Sequence, residues 1–268
     1  MKKVVLFLAV VCLTAISVNV FAQSTGTTPA PGATHSYSIT PGDAGNTILW
    51  TVTKGDLTTS AGVEADISDP SSATTDIKWN VTSAEIGDWY YVHVVETGGG
   101  CSNEKVLPVQ ITASPFNLTL AAANATQCYD GAVVVSLADP STINYDHGNA
   151  TVVFTVTPGG LSGSYTGYSF DLSLVVPTGF NAAPAFSSNA SLTGNTVTVT
   201  DNLAVTITYT IDNTNVYTNS SDANAQDFTA TASISGGTAI NGVTDNGTGA
   251  KTDATAVARP NTSGIGTN

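Results

Sequence analysis

Gly87-Asp88-Trp89-Tyr90-Tyr91-Val92-His93-Val94-Val95-Glu96 is the stretch on which the fold turns. Its β-branched and aromatic side chains favour an extended, half-buried backbone. Side chains alternate across a strand, so Tyr90, Val92 and Val94 form one face and Trp89, Tyr91, His93 and Val95 the other. Both faces are apolar, so at least part of the second must meet something. Upstream, Ile48, Trp50 and Val52 alternate with smaller residues over 47–53 and share an inward face. Further strands are expected at 35–40, 74–80 and 105–112, closing a first sandwich over 33–112.

Beyond Ala113-Ser114-Pro115, a natural linker (113–115), the pattern resumes. Runs at 116–121, 132–138, 151–157, 168–176, 196–200, 204–211, 227–234 and 252–256 predict a second, larger sandwich over 116–258. Asp201-Asn202 reads as the tight turn of a hairpin, and Gly98-Gly99-Gly100 and Gly159-Gly160 as hairpin turns. The Pro/Gly/Thr-rich segment 23–32 reads as a flexible leader and 259–268 as a loose tail. Helical periodicity is nearly absent. The fold class is all-β: two tandem immunoglobulin-like β-sandwiches after a signal peptide.

That signal peptide is residues 1–22. Lys2 and Lys3 precede an apolar run, and Val20-Phe21-Ala22 offers a cleavage site before Gln23. The run is too short for a membrane span, so no membrane insertion is expected. Val11 before Cys12 argues against a lipid-attachment cysteine. The expectation is a secreted protein, at the cell surface or extracellular, with the periplasm left open.

Processing removes two of the seven basic residues, leaving five (7 − 2) against 20 acidic ones. No basic patch can form, which excludes nucleic acid and anionic membranes as partners. Charged residues are only 10% of the chain, so Thr, Ser, Asn and Gly must cover the surface.

Catalytic constellations are missing from the sequence. His35, His93 and His147 lack zinc spacing. No G-x-S-x-G elbow or Walker loop occurs, and acid count alone says nothing of a carboxylate pair. No catalytic residue and no cofactor is assigned, with calcium the one ligand to weigh. Asp212, Asp222, Asp227 and Asp245 lie in loops dense in oxygen donors, which suit calcium and equally suit plain Asx turns. Trp89, Tyr91 and His93 form a candidate outward stripe, for recognition of a glycan or protein or for packing. Cys101 and Cys128 either pair across a loop of 27 residues (128 − 101) or stand as separate thiols.

The first block resembles the PKD-like, immunoglobulin-type repeats of large Bacteroidota surface proteins. HSYSIT, ILWTVTKGD, DIKWNV, GDWYYVHVVE and GCSNEKVLPVQIT carry the resemblance, with Trp50, Gly87-Asp88-Trp89-Tyr90 and Gly100-Cys101 matching in order. Such repeats often carry a partner cysteine near the first strand; TPAPGATHSY has none, which turns Cys101 toward Cys128. The second block, through CYDGAVVVSL, YDHGNATVVFTVTP and GYSFDLSLVVP, is similar to the longer modules that accompany them. The resemblance implies adhesins, motility-associated surface proteins and type IX secretion substrates, many ending in a sorting domain for which 259–268 leaves no room. It implies a non-catalytic structural or adhesive module whose partners are other surface or extracellular proteins, including copies of itself. A carbohydrate-binding protein, with or without the help of calcium, is the alternative.

Overall fold

The computed structural model describes residues 24–161, 167–218 and 226–260, so the expected signal peptide lies outside the described residues. In the first block the strands are β1 (Thr34–Ser38), β2 (Thr47–Lys54), β3 (Ala65–Ile67), β4 (Thr74–Trp79), β5 (Trp89–Gly98) and β6 (Cys101–Gln110). They form two antiparallel sheets, β1-β4-β3 and β2-β5-β6. Between the sheets lie Trp50, Ile77, Trp79, Tyr90, Val92 and Val109, all buried. Ile48, Trp50 and Val52 do share the inward face, as do Tyr90, Val92 and Val94. The Trp79 and Tyr90 rings meet edge to face at 5.4 Å, a preferred aromatic geometry.

The second block continues with β7 (Asn117–Ala122), β8 (Thr126–Gln127), β9 (Val134–Asp139), β10 (Thr142–Asp146), β11 (Asn149–Gly159), β12 (Tyr168–Val175) and β13 (Phe180–Phe186). It ends with β14 (Ala190–Thr193), β15 (Thr196–Val199), β16 (Val205–Asn213), β17 (Tyr217–Thr218), β18 (Phe228–Ala239) and β19 (Thr252–Val257). A sheet β13-β16-β11-β7 faces a sheet β14-β15-β12-β18-β19-β8, and a smaller sheet β17-β10-β9 stands apart. Phe116, Leu118, Phe154, Phe170, Ile207, Ile211 and Phe228 fill the core. Period-two burial is cleanest in β11 and β16, which pair over eight residues from Asn149 opposite Asp212 to Val156 opposite Val205.

Three local expectations give way. Asp201-Asn202 does not turn a hairpin: β15 belongs to one sheet and β16 to the other, so the chain crosses the sandwich there. The Asp201 carboxylate shapes that crossing by accepting from Leu203 N at 3.0 Å and Asn189 Nδ2 at 2.9 Å. Gly159-Gly160 likewise leads from one sheet to the other, whereas Gly99-Gly100 does join the paired strands β5 and β6.

The segment 23–32, expected to be a flexible leader, is instead fastened from Ser24 onward. The Thr27 and Pro29 carbonyls accept from Gln110 N and Thr112 N at 3.0 and 2.9 Å, extending the β6 edge. Pro31 and Gly32 then lie against the turn after β18. Thr244 N donates to Pro31 O and Thr34 N to Asn241 O, each at 3.2 Å. Ser114 Oγ donates to Thr244 O at 2.6 Å, and Asn246 Nδ2 to Ser114 O at 3.2 Å. Ala30 and Ala33, from the first block's side, are fully buried in the second block's core. The joint is therefore a hydrogen-bonded strip rather than a bare linker.

Candidate interaction surface

The outer face of the β2-β5-β6 sheet carries the predicted stripe. Trp89 is 48% exposed and Tyr91 half-buried, but His93 is only 6% exposed. The stripe is therefore two residues long. His93 is closed off by neighbours on both flanking strands: Nδ1 lies 2.7 Å from Glu104 Oε1 and Nε2 2.9 Å from Thr53 Oγ1. Register sets Tyr91 between Thr53 and Pro108, and His93 between Thr51 and Val106. With Leu49 and Val106 exposed on the same face, apolar side chains flank the His93–Glu104 contact.

Trp89 also rims a cleft of about 470 Å³ lined by Lys54, Glu64, Glu85, Asp88 and Tyr90. Most of its polar groups answer one another. Glu64 accepts from Lys54 Nζ at 2.5 Å and from Tyr90 Oη at 2.7 Å, which hold its carboxyl below the usual range, Lys54 first. Burial, and then the Glu64 carboxylate, push the Tyr90 phenol well above its ordinary value. Glu85 is tied to Thr82 in a capping box at the start of a short 3₁₀ turn.

Of the candidate calcium aspartates, Asp212, Asp227 and Asp245 are not brought together. Asp245, at the joint end, pairs with Lys251. Asp212 sits exposed on β16 between Asn149 and Asn181. Asp227 accepts from Gln226 Nε2 and from Arg259 N, each at 3.2 Å, at the opposite end of the block. Asp222 lies outside the described residues. Among the described residues no three His, Cys, Asp or Glu side chains come together in a way that could hold a metal.

Cys101 and Cys128 are exposed, unbonded thiols, which corrects the expected staple. Strand geometry forbids it. Cys101 begins β6, whose other end, Gln110, meets the leader beside the joint, about 30 Å away at ~3.3 Å per residue. Cys128 follows β8 at the far end of the second block, beside Val257. No strand of one block packs lengthwise on a strand of the other among the described residues. The two cysteines sit at opposite poles, far beyond the ~7 Å Cα separation a disulfide tolerates.

One cluster had no counterpart in the sequence reading. At the pole of the second block, Arg259 Nη2 donates to Gly131 O and His147 O at 2.8 and 2.9 Å, with its guanidinium 4.9 Å from the Tyr129 ring centroid. His147 is buried, its Nδ1 without a hydrogen-bond partner among the described residues, and its ring meets Tyr217 edge to face at 5.1 Å. Burial, and then Arg259, lower the His147 pKa, opposed by Asp146 and Asp227. Burial also pushes the Tyr129 phenol up to about 12. The only prior signal was an arginine in a chain with few basic residues.

No family model matches the chain, and no curated protein does. Among solved structures it is similar to a chimeric titin Z1Z2 functionalized with a KLER exogenous peptide from decorin, at 14% identity over 85% of this chain and 89% of that one, TM-score 0.29. It is similar to BspA_C_WT at 8% identity, 88% and 96% coverage and TM-score 0.29, and to the D00-D0 domain of intimin at 13%, 89% and 96%, TM-score 0.25.

Proposed function

We propose that this chain is a non-catalytic structural or adhesive module of a cell surface or extracellular assembly. The observation that carries it is the outer face of β2-β5-β6, where Leu49, Trp89 and Val106 stand exposed on rigid, paired strands. A sheet face rich in apolar and aromatic side chains suits a macromolecular partner. The Bacteroidota-type resemblance of the first block, and export through residues 1–22, support the same setting. Co-purification from native envelopes, with wild type beside Trp89→Ala, tests it: the surface reading requires an envelope-associated chain whose partner is lost with Trp89. Recovery of wild type and variant with the same set of proteins would overturn the role given to this face.

A second reading is a glycan-binding protein, favoured by the exposed Trp89 indole on the rim of a cleft with acidic walls. Aromatic platforms stack on sugar faces while carboxylates accept hydroxyl protons. A glycan array read in calcium and in chelator separates the two: Trp89-dependent micromolar sugar binding selects this reading, and calcium dependence adds the ion.

A further inference from the structure

We propose that β9 is the pairing edge of a two-fold dimer of this chain. The idea deepens the surface-module reading by naming a surface and a partner, and rests on it only for its setting. Among the described residues β9 ends its sheet and pairs on one side alone, with β10. All six of its residues are exposed, including Val134 at 63%, Val135 at 58% and Leu137 at 70%. Unpaired strand edges bind other strands unless blunted, usually by lysine or proline. β9 has neither. Its register with β10 shifts only at Ala138, leaving Val134 to Leu137 regular.

The pattern fits a second copy. In an antiparallel pair, opposing residues must match in hydrogen-bonding direction, so a two-fold axis falls on a residue, not between two. An axis at Ser136 sets Val135 opposite Leu137 of the other copy, twice over. The row extends on each side to Tyr145 and Ile143, the β10 neighbours of Val135 and Leu137. Moving the axis to Leu137 would set Val135 against Asp139. Parallel pairing would bring the two Asp139 carboxylates side by side, which like charge disfavours. Antiparallel pairing on Ser136 keeps the strand's only charge away from its copy. A two-fold contact closes on itself, so the product is a dimer with a six-stranded sheet and not a filament.

The contact is small, on the order of ten residues a side against the ~20–30 of a stable interface. Two chains with a net charge of −13 also repel. Association is therefore weak, and it strengthens with salt, which screens the repulsion and spares the apolar contact.

The test uses the full chain with Cys12→Ser, Cys101→Ser and Cys128→Ser. Sedimentation across micromolar to millimolar concentrations should show a reversible dimer that rises with salt. Ser136→Cys should oxidise to a covalent dimer much faster than Val134→Cys, whose thiols stand about 13 Å apart in this register. Leu137→Lys, at an exposed position, should keep the melting temperature and weaken the dimer at least tenfold. A monomer at millimolar concentration, equal cross-linking at 134 and 136, or an unaffected Leu137→Lys would each overturn the proposal. A monomer whose binding to another protein is lost with Leu137→Lys would overturn it too and give the edge to a foreign strand. None of these outcomes touches the role of the β2-β5-β6 face.

Discussion

Replacing Gly242 by alanine probes the joint with one methyl group. Gly242 has φ +88°, and a Cβ there would lie 2.5 Å from Gly32 O. Gly32 faces it with φ +81°, and its own Cβ would lie 2.4 Å from Gly242 O. The two backbones touch where side chains would be. Alanine in the left-handed region costs about 1–2 kcal/mol. The overlap with a carbonyl must also be relieved by separation, which weakens Thr34 N to Asn241 O and Thr244 N to Pro31 O. Each bond contributes about 0.5–1.5 kcal/mol. Gly242→Ala should therefore cost about 2–4 kcal/mol, a shift of roughly 1–2 M in the urea midpoint of the second block. Small-angle scattering should show a broader distribution of distances as the blocks come apart. Gly45→Ala, where a Cβ meets nothing within 4 Å, is the control. If Gly242→Ala matches Gly45→Ala in both midpoint and scattering, the blocks are not held by this contact.

Three other outcomes follow from the geometry. Because His147 has a folded pKa below its unfolded 6.5, the unfolded chain takes up the proton first, so stability present above pH 6.5 should fall as pH drops toward the lowered value; denaturation at pH 8 and 5 should show this loss in wild type and less of it in His147→Gln. Lys251→Met removes the donor that serves Asp245, Leu118 O and Thr248 O and leaves a largely buried carboxylate, so the melt should report a loss of about 1–3 kcal/mol. Native protein processed after Ala22, and so without Cys12, should gain two adducts by intact mass on treatment with iodoacetamide without denaturant or reductant, at Cys101 and Cys128.

Alternation made the two sandwiches' central strands legible, because a half-buried strand writes its inward face every second residue: Ile48, Trp50 and Val52, or Tyr90, Val92 and Val94. β13 was invisible, since Asn181-Ala-Ala-Pro184-Ala carries little apolar signal and is held as an edge by its partner β16. The leader misled because proline and glycine lower strand propensity, yet its bonds to β6 use only carbonyl acceptors, which Pro29 possesses. Asp201-Asn202 has the composition of a tight turn, and composition cannot say which sheet the next strand joins. At the candidate surface, Trp89 and Tyr91 were legible from strand parity. His93 was not, because Glu104 and Thr53, distant in sequence, bury it. The Cys101–Cys128 expectation failed for want of the same information: where strands end in space.

The fastening of the leader has a mechanical corollary. Ser24 is held at the waist, where its Oγ accepts from Ala30 N at 2.9 Å, while Arg259 is clamped at the far pole of the second block. Tension applied between those two residues runs through the joint and along the second block. The first block lies between those two residues along the chain, bridged at the joint by the leader's hydrogen bonds. A pull on Ser24 first loads the leader's bonds to Gln110 and Thr112 at the joint end of β6, and it reaches β5 and β2 only after these break. Trp89, whose register partner is Gln110, therefore stands one strand away from the first bonds that such traction loads.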